Sequence, residues 1–350
     1  MSLTAHAQFI LDKQPKLSGE FSVSANALCQ VATNTLTYMK QQPNDAFAVH
    51  AGNHVLPQAN LSRVKETLAF VCQLKNKPLN AQFLKHHFDF YQWIPDKKTA
   101  DLLANKSTNA VKKRLLTNIP KDQILLTKYY TKLLDASESA TEVYDQALYA
   151  LPYDEQGLTE EQAQEKRGEL TRFAYTRQDI IAGVLREKKL AKPLVWLTEE
   201  ALHDVLLQGT GVVDVDGQRR YFNVHRNNGI SYDYTLGKRE QSRYWYFAEV
   251  PSVLGYGTTI ENKIVIDKNV AFAGNVKQLG LGKLFLIQVA NDDTQQLQLG
   301  VLADQGGAFD DNLFQLDWLK GSYYGWQDYY QENKVYADYA HAWILLKKQE

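Results

Sequence analysis

No stretch of the 350-residue chain holds eighteen consecutive apolar residues, so no transmembrane helix is expected. Charge of one sign does not accumulate either. Lys and Arg number 39 against 40 Asp and Glu, a formal charge of -1, which excludes a nucleic-acid surface as the main business of the protein. Cysteine is scarce: Cys29 and Cys72 lie in separate helix-patterned stretches, and sequence leaves open a disulfide in an oxidising compartment or two buried thiols in the cytosol. Neither sits in a glycine-rich or electropositive setting, and no G-x-S-x-G elbow occurs, so serine and cysteine nucleophiles drop out. A phosphate cradle is missing as well, and the Gly-Leu-Gly of residues 280 to 282 lacks a third glycine and reads as a turn. His50 and His54 stand four apart and His86 adjoins His87. No Glu follows His50, and Ala51-Gly52-Asn53 would break a helix there, so these read as surface histidines and no metal or cofactor is expected. There is no repeat and no Pro/Gly/Ser-rich linker, so any domain boundary is packed and could be crossed twice.

What is there begins with size. A chain of 350 residues exceeds the length at which one core stops growing, so two domains are expected. Aromatic residues make up 11%, with 20 Tyr and 6 Trp; such rings suit stacking on sugars or bases, and equally an ordinary β core. Residues 22–150 carry little strand signal and several helical periods, LSRVKETLAFVCQL among them. Leu125 to Tyr130 reads as a strand because β-branched and aromatic residues crowd it. Thr159 with Gln162, and Thr176 with Asp179, resemble capping boxes that start two short helices. From Leu194 onward β-rich runs alternate with Gly-Thr-Gly, Asp-Gly and Asn-Gly, predicting hairpins at Asp216-Gly217 and Asn228-Gly229. The strand texture continues through KIVIDKNVAFAG, KLFLIQV, QLQLGVLAD and HAWILLK, a small barrel or sandwich closed by the C-terminus. At the other end, Ala5-His6-Ala7 before Gln8 has the small-x-small look of a signal-peptidase site.

Carboxylates are the remaining chemistry. Asp267, Asp304 and Asp317 each stand at the mouth of an apolar strand or turn, whereas Asp310 and Asp311 fall in a polar loop. The pair Gly306-Gly307 removes side chains that would crowd Asp304. One such Asp is ordinarily a turn cap bonding its own backbone; three in the same setting point to acid or base chemistry.

Five ordered segments resemble the membrane-bound lytic transglycosylase A family: ILLTKYYTKLLDA, YTRQDIIAGVL, VLLQGTGVVDVDG, YFNVHRNNGISY, and the three aspartate segments, which match its three-Asp signature. The likeness covers roughly residues 125 to 347. It departs where Lys128 and Lys132 replace the family's Gly and Pro around the paired tyrosines, where Gln305 replaces a small residue, and in a longer insertion after Asp267. The family's lipidated N-terminal cysteine has no counterpart in these residues, which therefore do not support an outer-membrane anchor and leave open the outer-membrane association of a native precursor.

The resemblance implies an α+β, β-rich fold: a double-psi β-barrel with N-terminal helices, formed by residues 20–132 and 241–347, and a second β-barrel domain inserted at 133–240, with a groove between them. It implies a periplasmic, cofactor-free, metal-free monomer acting on peptidoglycan glycan strands. The bond between N-acetylmuramic acid and N-acetylglucosamine is cleaved without water, the muramoyl 6-hydroxyl closing a 1,6-anhydro ring. Asp304 is the implied catalytic acid and then base, with Asp317 and Asp267 in support. Tyr129, Tyr130, Thr131, Gln208, Gly209, Tyr232 and Gln305 are the implied substrate contacts. Strand alternation lets only one of Tyr129 and Tyr130 face the groove. A single acid suffices because the nucleophile belongs to the substrate, whereas ordinary glycosidases need two carboxylates. The rival readings are a wall-binding or wall-loosening protein that does not cleave, and a hydrolase of another polysaccharide with Asp304 and Asp317 as an inverting pair.

Overall fold

A computed structural model describes residues 7–349 except 51–53, 78, 307, 308 and 310. Ala5 and His6 of the Ala-His-Ala motif, the stretch beside His50, Gly307 and Asp310 therefore lie outside the described residues. The N-terminal part comprises β1 (Gln8–Asp12), β2 (Glu20–Phe21), α1 (Ala25–Gln41), α2 (Leu61–Val71), α3 (Ala81–His87), β3 (Phe88–Ile94), α4 (Lys97–Lys106) and α5 (Ala110–Thr117). The middle runs through β4 (Ile124–Asp135), β5 (Gln146–Pro152), α6 (Glu160–Glu165), α7 (Thr171–Ala174), α8 (Arg177–Ile181), α9 (Val184–Glu187), β6 (Ala191–Leu197), α10 (Glu199–Gln208), β7 (Thr210–Val215), β8 (Gln218–Asn227) and β9 (Trp245–Val250). The last part holds β10 (Ala271–Gly274), α11 (Val276–Leu279), β11 (Leu284–Asn291), β12 (Thr294–Gln305), β13 (Gln315–Tyr323), α12 (Trp326–Asn333) and β14 (Tyr336–Lys347).

Six strands close a barrel in the order β14, β11, β12, β10, β13, β4, and the ring is completed where Tyr339 and Ala340 of β14 pair with Leu125 and Ile124 of β4. Two neighbours, β10 with β12 and β13 with β4, run parallel. Parallel neighbours need crossover connections rather than tight turns; the inserted unit stands in the chain between β4 and β10, which lie on either side of β13. The barrel interior is filled by residues such as Trp318, Phe272, Phe285 and Leu302, and α1 and α2 pack against its outside through Leu28, Val31, Val64 and Leu68. Cys29 and Cys72 form a disulfide joining α1 to the turn that follows α2.

A second apolar core gathers Leu148, Trp196, Leu206, Phe222, Tyr244 and Phe247, including β9. Its sheet starts from the barrel: Leu133 to Asp135, the end of β4, pair with Val212 to Asp214 of β7, and β8 and β9 follow antiparallel. The β5–β6 ladder faces this sheet, joined to it by a bridge from Ser137 to Trp196, with β5 lying against β9. One strand therefore belongs to both units.

Local signals explain much of this. Asp216 and Gly217 adopt φ 51° and 80°, the left-handed pair that a two-residue hairpin requires. Both capping boxes form at Thr159 and Thr176. Four expectations are corrected. FDFYQWI is strand β3, not helix: it pairs with β1 on one side and β14 on the other, and all four of its aromatics are buried. The run before Gly209 is helix α10, not strand: Thr198 caps it, Glu199 and Glu200 favour its N-terminal dipole, and Gly209 at φ 76° ends it. Asn228-Gly229 makes no tight hairpin; Asn228 is buried and its amide donates to the carbonyls of Tyr175 and Ser242, so residues 228–244 form a long excursion before β9. In KIVIDKNVAFAG only Ala271–Gly274 is a strand, since Ile264 and Ile266 bond back to Tyr256 and Val253 across a narrow loop.

Candidate active site

Asp304 is placed by a bulge. Opposite β10, Phe272 pairs with Leu302 and Ala273 pairs with Asp304, so Ala303 is the extra residue, and such a bulge re-aims the side chain that follows it. The freed Ala303 carbonyl accepts from Tyr256 N, and a Cβ on Gly255 would stand 2.5 Å from that oxygen. Only a glycine lets the 253–266 loop lie on the bulge. From there the loop reaches the inserted unit, where Lys263 Nζ donates to Asn223 Oδ1 of β8 at 2.8 Å.

The Asp304 carboxyl opens into a cleft cavity of about 370 Å³ between the two units. Tyr129 OH donates to its Oδ2 at 2.9 Å and Gln305 N to its Oδ1 at 2.8 Å. Burial pushes its pKa up to about 6, against the lowering pull of Tyr129, Gln305 N and Lys263; the charge of Asp317 adds to the rise. Burial also depresses the Lys263 ammonium, which Asp304 partly restores. The result is a carboxyl that still carries a proton close to neutral pH and has donors ready for the anion that remains when the proton leaves.

Asp317 is two strands away. Ala273 of β10 pairs with Asp304 on one side and with Asp317 of β13 on the other, which sets their backbones roughly 10 Å apart at two strand spacings. Burial raises Asp317 to about 6 as well, opposed by its bond from Gln315 Nε2. Its carboxyl lines a different cavity, of about 540 Å³, with Thr127 and Phe309. Asp267 is not brought to the acid: it is exposed, accepts from Lys268 N at 2.7 Å, and lines a third cavity of about 490 Å³ with Lys320 and Tyr324.

The expected substrate contacts divide similarly. Tyr129, Tyr130, Thr131, Gln208, Gly209 and Gln305 all border the Asp304 cavity. Tyr129 meets the acid, while Tyr130 stacks on Tyr329 at 4.5 Å. Thr131 Oγ1 bonds Ser322 Oγ at 2.7 Å. Gln208 is the last residue of α10, and its Oε1 accepts from Lys132 N, tying the helix end to β4. Gln305 Oε1 accepts from Val276 N. Tyr232 lies apart, under Arg243 and against Tyr234. Lys263, Asn223 and Thr210, which bonds the Asn223 amide, were missed. Asn223, inside the Asn-rich YFNVHRNN segment, and Thr210, inside Gly-Thr-Gly, had a signal, and Lys263 had none. Among the described residues no group of three or more His, Cys, Asp and Glu is placed to hold a metal ion.

Fold and site together define a double-psi-type barrel with an inserted β unit and one enclosed acid at the cleft between them. Comparison with known proteins is specific. Residues 125–239, about a third of the chain, match the family model of the MltA specific insert domain. The structure of Escherichia coli MltA with bound chitohexaose is similar at TM-score 0.56 and 16% identity, covering 98% of this chain and 95% of that one. MltA from Neisseria gonorrhoeae gives 0.56 and 13%, covering 96% and 95%. A membrane-bound lytic murein transglycosylase from Agrobacterium tumefaciens gives 0.54 and 15%, covering 95% and 98%. No curated protein matches the sequence. The resemblance read from the sequence is thus borne out by the insert domain's family model and by the double-psi barrel fold shared with the MltA structures.

Proposed function

We propose that the protein is a peptidoglycan lytic transglycosylase that works with one carboxyl, Asp304. The observation carrying this reading is the enclosed Asp304 on the cleft, its pKa raised to about 6 by burial, with Tyr129, Gln305 N and Lys263 arranged around it. Protonated, it gives its proton to the glycosidic oxygen as the bond to the anomeric carbon breaks. The carboxylate then takes the proton of the muramoyl 6-hydroxyl as that oxygen attacks the anomeric carbon and closes the 1,6-anhydro ring. The proton count balances with no water consumed. Asp317, ionised, favours the oxocarbenium-like transition state electrostatically from its place across β10, and Asp267, exposed on the adjoining cavity, meets the glycan away from the scissile bond. Glycan strands as ligand are supported by the chitohexaose held by Escherichia coli MltA. A periplasmic location is supported by the Cys29–Cys72 disulfide, which persists in oxidising compartments, and by the lack, among the described residues, of any helix long and apolar enough to cross a membrane.

The test is mass spectrometry of digested peptidoglycan. Products lighter by one water than hydrolytic fragments are expected, and Asp304→Asn should abolish them while glycan binding persists. Hydrolytic products would assign the protein to the two-carboxylate hydrolases, and no products from the unaltered protein would make it a binder.

A further inference from the structure

The cleft does not end at the acid. Val253 lines both the Asp304 cavity and the neighbouring cavity of about 490 Å³, and the Thr131–Ser322 hydrogen bond joins their walls. Tyr324, Asp328 and Glu332 also border that second cavity. Asp328 belongs to α12, and another face of that helix, beside the buried Tyr329, carries two large exposed rings: Trp326 is 64% exposed and Tyr330 47%, with Tyr324 at 50% just before the helix. Trp326 and Tyr330 stack on one another at 5.7 Å and 24°, and Trp326 also touches Tyr329. Tyr329 in turn stacks on Tyr130, at the edge of the Asp304 cavity. A continuous run of rings therefore leads from the cleft edge to solvent.

A soluble protein rarely leaves rings of this size clustered in water without use. The surroundings decide what they are for. The other exposed residues of the helix are Gln327, Asp328, Gln331 and Glu332, amides and carboxylates that accept or donate hydrogen bonds to hydroxyls. No exposed aliphatic side chain joins the patch from α12, as a protein or lipid partner would favour. Flat rings edged by hydrogen-bonding side chains match a pyranose, whose C–H face is apolar and whose rim carries hydroxyls. We infer that Trp326 and Tyr330 form a secondary platform that grips a polysaccharide strand where it leaves the cleft. The inference rests on the proposed function for the identity of the strand. Its role is to hold a long polymer in register with Asp304, and strands too short to reach α12 gain nothing from it.

The experiment uses the full chain carrying Asp304→Asn, so that bound glycan persists, with and without Trp326→Ala/Tyr330→Ala. Affinity is measured for long peptidoglycan glycan strands and for a chitotriose probe. Losing two stacking rings should weaken long-strand binding by about tenfold or more, since truncation of an aromatic anchor commonly exceeds the 1.4 kcal/mol that tenfold represents, with no matching loss for the trisaccharide. Trp326→Phe/Tyr330→Phe should restore most of the long-strand affinity, and a blue shift of tryptophan emission on adding long strands should vanish in Trp326→Phe. Equal long-strand affinity with and without the rings overturns the platform, and so does an equal loss on both ligands. These outcomes are independent of product chemistry: anhydro products with an idle α12 leave the function standing and remove the platform. If the chain binds no glycan at all, both fall.

Discussion

Replacing Asp304 by Asn should make the protein inactive and, at neutral pH, more stable. Burial raises the Asp304 pKa from 3.8 to about 6, so between those values the folded protein holds a proton that the unfolded chain has released. The folded state binds the extra proton, and its stability therefore falls as pH rises through this window. A gap of about two pH units corresponds to about 3 kcal/mol, absent below pH 3.8 and fully developed above about 6. Asn keeps the size and one acceptor oxygen but has no charge to desolvate. Urea unfolding of both proteins at pH 4 and pH 7.5 measures the effect, and the variant's advantage should grow by about 2.4 kcal/mol between the two conditions, since part of it is already present at pH 4. Any constant offset from altered hydrogen bonding cancels in that difference. An advantage that is the same at both pH values would mean that Asp304 is ionised in the folded protein at little cost, and the argument for a proton donor near neutrality would fail.

Tyr129→Phe removes the O–H that favours the Asp304 anion. A hydrogen bond to a charged group is worth about 1.5–3 kcal/mol, so the fall of activity on the alkaline side should move up by about one pH unit or more, as a pH–rate profile would show. Asp317→Asn works in the opposite sense: it removes a like charge that raises Asp304, so the same limb should move to lower pH. An unchanged profile would show the two carboxyls to be uncoupled. Cys29→Ser/Cys72→Ser opens a link spanning 43 residues, which the loop-entropy account values at about 4 kcal/mol; the urea midpoint should fall accordingly, and an unchanged midpoint would show that α1 and α2 hold together without it.

Asp304 was legible because everything that marks it is local: an apolar strand that ends, an acid, then glycine. The hairpin at Asp216-Gly217 and both capping boxes were legible for the same reason. Lys263 was not. It stands between the polar Glu261-Asn262 and the strand formers Ile264 to Ile266, and it acquires meaning only because the loop carrying it lies across a bulge at Ala303 and meets Asn223 forty residues earlier. Asn228-Gly229 shows the converse failure, since a strong turn signal was overridden once the Asn amide found two buried carbonyls. Alternation predicts that only one of Tyr129 and Tyr130 faces the groove, yet both border the Asp304 cavity, and a period of two does not say which of them bonds the acid. Which ring meets the acid depends on the register of β4 against β13, where Tyr129 pairs with Leu319.

The chain crosses between its two units at the places where the acid is tuned. Strand β4 supplies Tyr129 to Asp304 and Thr131 to the cleft, then within four residues becomes an edge of the inserted sheet at Leu133 to Asp135. The 253–266 loop supplies Lys263, held by Asn223 of that same inserted sheet. Of the three groups that lower the pKa of Asp304, Tyr129 and the Gln305 amide are fixed to the barrel, whereas Lys263 is oriented by the other unit. Proton affinity at the acid is therefore set across the boundary and not by the barrel alone. Asn223→Ala would remove the lysine's partner, and a lysine that moved off would leave Asp304 holding its proton more tightly. On the proposed mechanism the two units together, and not a second carboxylate, set how readily the lone carboxyl gives up its proton.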